Sequence, residues 1–137
     1  MPTRQQVFLA QAAQDVDSVS REDEKVKQIY GGLCHKLPVM IRTCGLCQSA
    51  AFIADKASST DDRGKAYKHL QKHVLGVLQL RGIPAENHRL EVLARELPVQ
   101  DYVRATRELL DAWVYYKRMA VSILKVKSAA DVDGDRQ

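Results

Sequence analysis

The chain has 137 residues, of which 45% are hydrophobic and only 6% aromatic, a composition that predicts one domain with a real core and disfavours a β-sandwich. The formal charge is +4, and it becomes +6 without the acidic last ten residues, because 20 basic and 14 acidic residues remain. This charge permits a polyanion as partner. The sequence has no signal-peptide pattern, which disfavours export, and no apolar run of about 18 residues, which disfavours a membrane span.

Apolar residues recur at helical spacing along most of the chain and strand-like alternation is scarce, so we expect an all-α, single-domain bundle of about five to six helices. In chain order the predicted helices cover residues 4–16, 23–37 and 38–56, the stretch from the SSTDD cap to about residue 80, and residues 88–96 and 98–125. Pro38 is expected to end or kink the second helix and to open the third, because proline lacks the N–H that a helix interior needs. The bundle is expected over residues 1–126, followed by a disordered acidic tail at 127–137.

In three of these helices the distribution of apolar and charged side chains predicts which side is buried. The third is apolar almost all round, which is typical of a helix in the middle of a bundle. The fourth has an apolar side with Tyr67, Leu70, Val74, Val77 and Leu78, and an opposite side with Lys65, Lys68, His69, Lys72 and His73. In the last helix an apolar side that includes Trp113 lies across from a mainly basic stripe.

Cys44 and Cys47 form a Cys-x-x-Cys pair, for which zinc binding, redox chemistry and simple packing are the alternatives. Zinc would need about two more ligands, and the better second pair, His69 with His73, lies on the lysine-rich side. A redox pair sits at a helix start after a strand, and no strand is predicted before Cys44. We therefore expect buried thiols that pack as small hydrophobic groups, with Gly45 letting another helix approach closely. We expect no metal and no cofactor, and a reducing cytoplasm as the location.

Basic side chains on two helices are the candidate binding residues. The fourth helix has no acidic residue from Arg63 to Arg81, although a soluble helix face usually mixes both signs. In the last helix Tyr115 lies among basic residues, where its ring could stack on a base. Such faces would hold phosphates without reading sequence, and an ordinary solvated surface is the alternative. No phosphate loop or nucleophile elbow is present, so an enzyme is the least supported class.

Two stretches resemble a known family, the small helical subunit of the type III-B CRISPR effector, which is the Cmr RNA-targeting complex. In the stretch HKLPVMIRTCGLCQSAAFIADK the similarity lies at Leu37, Pro38, Met40, Ile41, Arg42, Gly45, Leu46, Gln48, Ala50, Ala51 and Phe52. The stretch ELLDAWVYYKRMA, with Trp113, Lys117, Arg118 and Ala120, is similar to the family's closing helix. The family commonly has a polar residue in place of Cys44, and neither Cys44 nor Cys47 belongs to its pattern.

The resemblance implies a non-catalytic subunit whose copies stack along the guide RNA beside the backbone subunits and help to hold the target RNA. Cleavage and nucleotide signalling would belong to a backbone subunit and to the large subunit. From the basic faces we infer RNA contacts at Arg42, Arg63, Lys65, Lys68, Lys72, Arg104, Arg107, Lys117 and Arg118. Arg42 could instead form a buried ion pair. A purely structural bridging subunit and, less favoured, a small zinc-binding module are the alternative functions.

Overall fold

Five helices make up the fold in the computed structural model, which describes residues 1–85 and 89–126. They are α1 (Arg4–Val19), α2 (Glu24–Ala57), α3 (Asp62–Leu80), α4 (Leu90–Glu96) and α5 (Val99–Leu124). The described ranges contain no strand, so the predicted all-α bundle is confirmed. The predicted tail, residues 127–137, lies outside the described residues.

Short polar side chains start the helices where the sequence places them. Thr3 and Gln6 form a capping box at α1, in which the Thr3 hydroxyl accepts from the Gln6 N–H at 3.1 Å and the Gln6 side chain accepts from the Thr3 N–H at 2.7 Å. At α3 the Asp61 carboxylate accepts from the N–H of Gly64 at 2.9 Å. Each cap satisfies an N–H that has no partner inside its helix.

The interruption predicted at Pro38 lies elsewhere. Pro38 is buried inside α2, and the non-helical residue is Gly45, with φ 84° and ψ 165°. A residue with a side chain would be strained at this backbone conformation, whereas glycine adopts it freely. The break releases the N–H of Cys47 from the helical ladder, and this N–H donates to the Tyr102 hydroxyl at 3.0 Å. Gly45 therefore serves to break the helix, and the group that approaches it is a tyrosine side chain and not another helix backbone.

The core forms where α2 packs against α3, α4 and α5, with α1 lying mainly on α5. Its largest fully buried side chains include Trp113 and Tyr116 of α5, whose rings stack at a centroid distance of 4.0 Å, and Tyr30 of α2. α2 thus has the central position predicted for the apolar helix, but its part from residue 38 to 56 is not covered all round, because Val39 and Phe52 are 60% and 40% exposed. By length and composition alone α2 could also cross a membrane, contrary to the expectation from the sequence, although a core helix passes the same test.

Candidate nucleic-acid interface

Three lysines form a row along the outward face of α3. Lys65, Lys68 and Lys72 are spaced by three and four residues, which places them on one side of the helix, and all three are exposed. None of them has a carboxylate within 4.0 Å in the part of the chain that the structure describes. We call this row the lysine ridge. Because no carboxylate in the described ranges neutralises them, its charges can attract an anion.

A shallow groove of about 360 Å³ lies on one flank of the ridge. Besides the three lysines it is lined by His69 and Glu22. The His69 Nε2 atom is 3.7 Å from a Glu22 carboxylate oxygen. Among the described residues this carboxylate is the only acidic group that lines the flank, so the ridge remains predominantly positive.

A larger groove of about 560 Å³ opens beside Lys68 and Lys72, and we call it the α3 groove. It is lined by Gln11, Asp15, Lys68, Gln71, Lys72, His73, Leu75, Gly76, Gln79, Ala85 and Arg89. Its wall therefore combines cations at the rim with three amide side chains, one carboxylate and apolar surface. Sequence reasoning missed this groove, and the only signal of it was a glycine at position 76 on the polar side of the fourth predicted helix.

Arg63 does not join the ridge. Its guanidinium lies over the Tyr67 ring at 5.9 Å from the centroid, on the side of α3 that faces α2. There it lines, together with Lys36, a separate cleft of about 240 Å³. Arg63 and Lys36 thus form a second, smaller cationic position between α2 and α3.

The basic residues predicted on α5 are divided among different environments. Arg104 donates to the backbone carbonyl of Arg81 at the end of α3, so it holds two helices together although it remains exposed. Arg107 and Arg118 are exposed, and Lys117 is half-buried. The two grooves that the lysine ridge lines contain no α5 residue. The structure therefore groups Lys65, Lys68 and Lys72, but it does not bring the α5 cations to the same grooves.

Tyr115 is half-buried and packs on Phe8, with ring centroids 6.3 Å apart. Its ring therefore has an internal partner, and stacking of a base on Tyr115 stays a prediction. Arg42, in contrast, is exposed and has no ion-pair partner within the described ranges. Of the two alternatives for Arg42, the buried ion pair is wrong, and RNA contact stays a prediction.

Two other arginines are neutralised inside the fold. Glu108, whose side chain is only 10% exposed, accepts from Arg4 and from Arg81 at 2.9 Å each. Both guanidinium groups also lie over the Phe8 ring, at 4.8 and 5.4 Å from its centroid. We call Arg4, Arg81 and Glu108 the arginine–glutamate cluster. It joins α1, the end of α3 and α5, and it is a structural contact.

His73 does not lie with the lysines, as the helical pattern suggested. It is 3% exposed, and its Nδ1 atom is hydrogen-bonded to the Tyr30 hydroxyl at 2.6 Å. Burial lowers the pKa of His73 to about 4, although the nearby Asp15 carboxylate acts in the opposite direction. The imidazole is therefore neutral at pH 7. It belongs to the core, because Tyr30 of α2 and Tyr116 of α5 pack against it, with ring centroids 5.4 and 6.3 Å from its own.

The cysteines are arranged differently from the prediction. Cys44 and Cys47 are exposed, and only Cys34 is buried. The Cys47 thiol donates to the Ala94 carbonyl at 3.3 Å, and burial raises the pKa of the Cys34 thiol to about 12. Cys44 and Cys47 lie on the two sides of the break at Gly45, and neither is buried. Among the described residues, no group of three or more His, Cys, Asp or Glu side chains is placed to hold a metal ion.

Comparison with known proteins gives consistent matches. The family model described as CRISPR-associated protein (Cas_Cmr5) matches residues 4–123. The chain is 33% identical over 126 residues to the CRISPR system Cmr subunit Cmr5 of Thermus thermophilus, and the match covers 91% of this chain and 99% of that relative. The crystal structure of a CRISPR-associated Cmr5 family protein from the same organism has a TM-score of 0.67 and 31% identity, and the match covers 90% of this chain and 98% of that one.

Proposed function

The chain belongs to the Cmr5 family of CRISPR-associated proteins, and from this premise we propose that it is the small, non-catalytic subunit of a type III-B (Cmr) ribonucleoprotein in antiviral defence. In this role copies of the chain stack along the guide RNA in the cytoplasm, beside the backbone and large subunits. They help to hold the target RNA through phosphate contacts that do not depend on sequence.

The lysine ridge carries this proposal. Lys65, Lys68 and Lys72 are exposed along about two turns of α3 and have no carboxylate partner in the described part of the chain. Lysine ammonium groups bind phosphates as point charges, and they gain affinity when condensed counterions leave the nucleic acid. Because a single subunit offers few such contacts, strong retention requires several copies that act together.

A purely structural bridging role is the second candidate, and the outward face of α5 favours it. Val99, Val103 and Val114 are 79%, 51% and 56% exposed. Val103 also lines a mainly apolar groove with Tyr102 and Leu110. Apolar side chains on a helix face are suited to contact with another protein. The two candidates use different surfaces, so they can be tested separately.

Charge reversal on the ridge tests the RNA role. We expect Lys68→Glu combined with Lys72→Glu to reduce retention of target RNA by the assembled complex at least tenfold at about 150 mM salt, because two phosphate contacts become repulsive. The free energy of unfolding should change by less than about 0.5 kcal/mol, since both side chains are exposed. Filter binding of labelled RNA and urea unfolding measure the two quantities.

The matched control is Arg95→Glu combined with Lys125→Glu. It makes the same change in net charge at two exposed positions outside the ridge. Retention that falls equally in both double variants would indicate an effect of overall charge only. Retention that is unchanged by the ridge variant would contradict the RNA role and leave the bridging role.

A further inference from the structure

The α3 groove differs in chemistry from the lysine ridge beside it. A phosphate presents only hydrogen-bond acceptors, whereas the groove is lined by Gln11, Gln71 and Gln79, whose side-chain amides each both donate and accept. It also contains the Asp15 carboxylate, which repels a phosphate and accepts hydrogen bonds. The edge of a nucleobase offers donors and acceptors together, so it matches this wall better than a phosphate does.

One of the three amide side chains, Gln11, is held in position by a hydrogen bond. The Gln11 Nε2 atom donates to the Asp15 carboxylate at 3.1 Å, and the same carboxylate accepts from the Tyr116 hydroxyl. Asp15 is therefore anchored by one core residue and one rim residue. Leu75 adds apolar surface to the wall, which suits the flat face of a base. A volume of about 560 Å³ lies within the range of roughly 300–1,000 Å³ that small-molecule sites use.

Gly76 keeps this groove open. A Cβ atom built at Gly76 would meet no atom of the described residues within 4 Å, so no close packing among them explains the glycine. Glycine in a helix interior costs about 0.5–1 kcal/mol relative to alanine. Because Gly76 lines the groove next to Lys72, any larger side chain there would project into the space that a ligand would occupy.

We propose that the α3 groove receives an unstacked nucleobase of the RNA strand whose phosphates lie on the lysine ridge. This inference rests on the proposed function, because the ridge supplies the phosphate contacts. Lys68 and Lys72 line both the ridge and the groove, so a strand whose phosphates lie on the ridge passes within reach of the groove. Single-stranded RNA is commonly bound in this way, with bases turned out of the stack into protein sites.

Nuclear magnetic resonance of the full-length, ¹⁵N-labelled chain tests the proposal. The chain is titrated with a cytidine hexanucleotide and with an abasic RNA strand of the same length. We expect both strands to shift the backbone amide signals of Lys68 and Lys72. Only the cytidine strand should shift the side-chain amide signals of Gln71 and Gln79, and it should bind roughly five- to tenfold more tightly, as one or two net hydrogen bonds allow.

Gly76→Leu is the matching variant. It should remove the cytidine-specific shifts at the glutamine side chains, keep the shifts at Lys68 and Lys72, and bind the cytidine strand only as tightly as the abasic one. Ala51→Leu is the control, since it adds a leucine side chain at an exposed helix position that lines neither the α3 groove nor the cleft of Arg63 and Lys36. This control should bind both strands like the unchanged protein.

The outcomes separate the two proposals. Equal glutamine shifts from cytidine and abasic strands, with shifts at Lys68 and Lys72 retained, would overturn the nucleobase site and leave the phosphate ridge standing. Cytidine-specific shifts that survive in the Gly76→Leu variant would overturn the groove as their origin. If neither strand shifts Lys68 or Lys72, the ridge itself is contradicted, and the nucleobase site with it.

Discussion

The outward and inward faces of α3 both carry polar side chains. Residues on the inward side and at the C-terminal end have partners inside the protein, whereas the ridge lysines have no carboxylate partner among the described residues. His73 is hydrogen-bonded to Tyr30, and Arg81 is paired with Glu108, whereas Lys68 and Lys72 have no carboxylate within 4.0 Å in the described part of the chain. A basic residue with an internal partner stabilises the fold, and one without a partner is available for a ligand. Changes on the inward side should therefore alter stability, and changes on the outward side should alter RNA binding.

The largest expected effect on stability comes from His73 and depends on pH. Its pKa is lowered to about 4 in the folded chain, whereas an unfolded histidine has a pKa of about 6.5. Below pH 6.5 the unfolded chain binds the proton first. The stabilisation from His73 is thus fully present above about pH 6.5 and is lost as the pH falls towards 4. The total loss should be about 3 kcal/mol, since one pKa unit corresponds to about 1.4 kcal/mol.

Urea unfolding at several values between pH 7 and pH 4 measures this loss. The control is His73→Gln, which keeps a polar group near the Tyr30 hydroxyl but has no proton to gain in that range. We expect its stability to change by about 3 kcal/mol less than that of the unchanged chain over the same interval. An equal pH dependence in the two proteins would mean that His73 is not the group that titrates.

The next effect comes from the arginine–glutamate cluster. Glu108→Gln leaves the Arg81 guanidinium without its counter-charge, and it leaves Arg4 with Asp111 as its remaining partner, at a site that is mostly covered. We expect the free energy of unfolding to fall by about 2 kcal/mol, which is below the full cost of breaking a buried pair because both arginines are partly exposed. Urea unfolding at pH 7 measures it.

Asp111→Asn is the control for that variant, because the Asp111 side chain is 45% exposed and pairs with Arg4 at the surface. Its cost should be at most about 1 kcal/mol. RNA retention by the assembled complex should be unchanged in both variants. A loss of RNA retention in Glu108→Gln without a loss of stability would contradict the expectation that inward residues affect stability and outward residues affect RNA binding.

Helix order and caps could be predicted from the sequence because they depend on local patterns. Thr3 and Asp61 start helices for reasons that lie within three residues of each. The break in α2 was harder to place, because proline and glycine both disturb helices. Pro38 removes one hydrogen bond and can remain inside a helix, whereas Gly45 alone can adopt the observed φ of 84°. Which of the two interrupts α2 depends on its packing partners, among them Tyr102.

The candidate site was predictable only in part, for a related reason. Helical spacing showed that Lys65, Lys68 and Lys72 share a face, but it could not show that Tyr30 of α2 and Tyr116 of α5 pack against His73. The sequence also contained Arg4 and Arg81 as two further cations without any sign that Glu108 neutralises both. Whether a charged side chain is paired depends on residues that are distant in the sequence. The pattern of a single helix does not show which residues those are.

The smallest expected effect on stability comes from giving the outward lysines of α3 a carboxylate partner, as Arg81 at its C-terminal end has. The same variant gives the most informative change in RNA binding. Lys68→Glu places a carboxylate three residues after Lys65 and four before Lys72, where it can pair with both. Such pairs stabilise a helix by about 0.2–0.5 kcal/mol each, so the chain should become slightly more stable while it loses affinity for RNA.

Lys68→Gln is the matched comparison, since it removes the charge without supplying a partner to its neighbours. If RNA binding depends on lysines that lack internal partners, the slope of log affinity against log salt should fall by roughly 0.7 in Lys68→Gln, the value for one phosphate on a single strand. In Lys68→Glu the slope should fall by roughly 2, because Lys65 and Lys72 are now paired as well. Equal slopes in the two variants would mean that pairing does not withdraw a lysine from RNA, and that the contrast between the two faces of α3 lies in exposure alone.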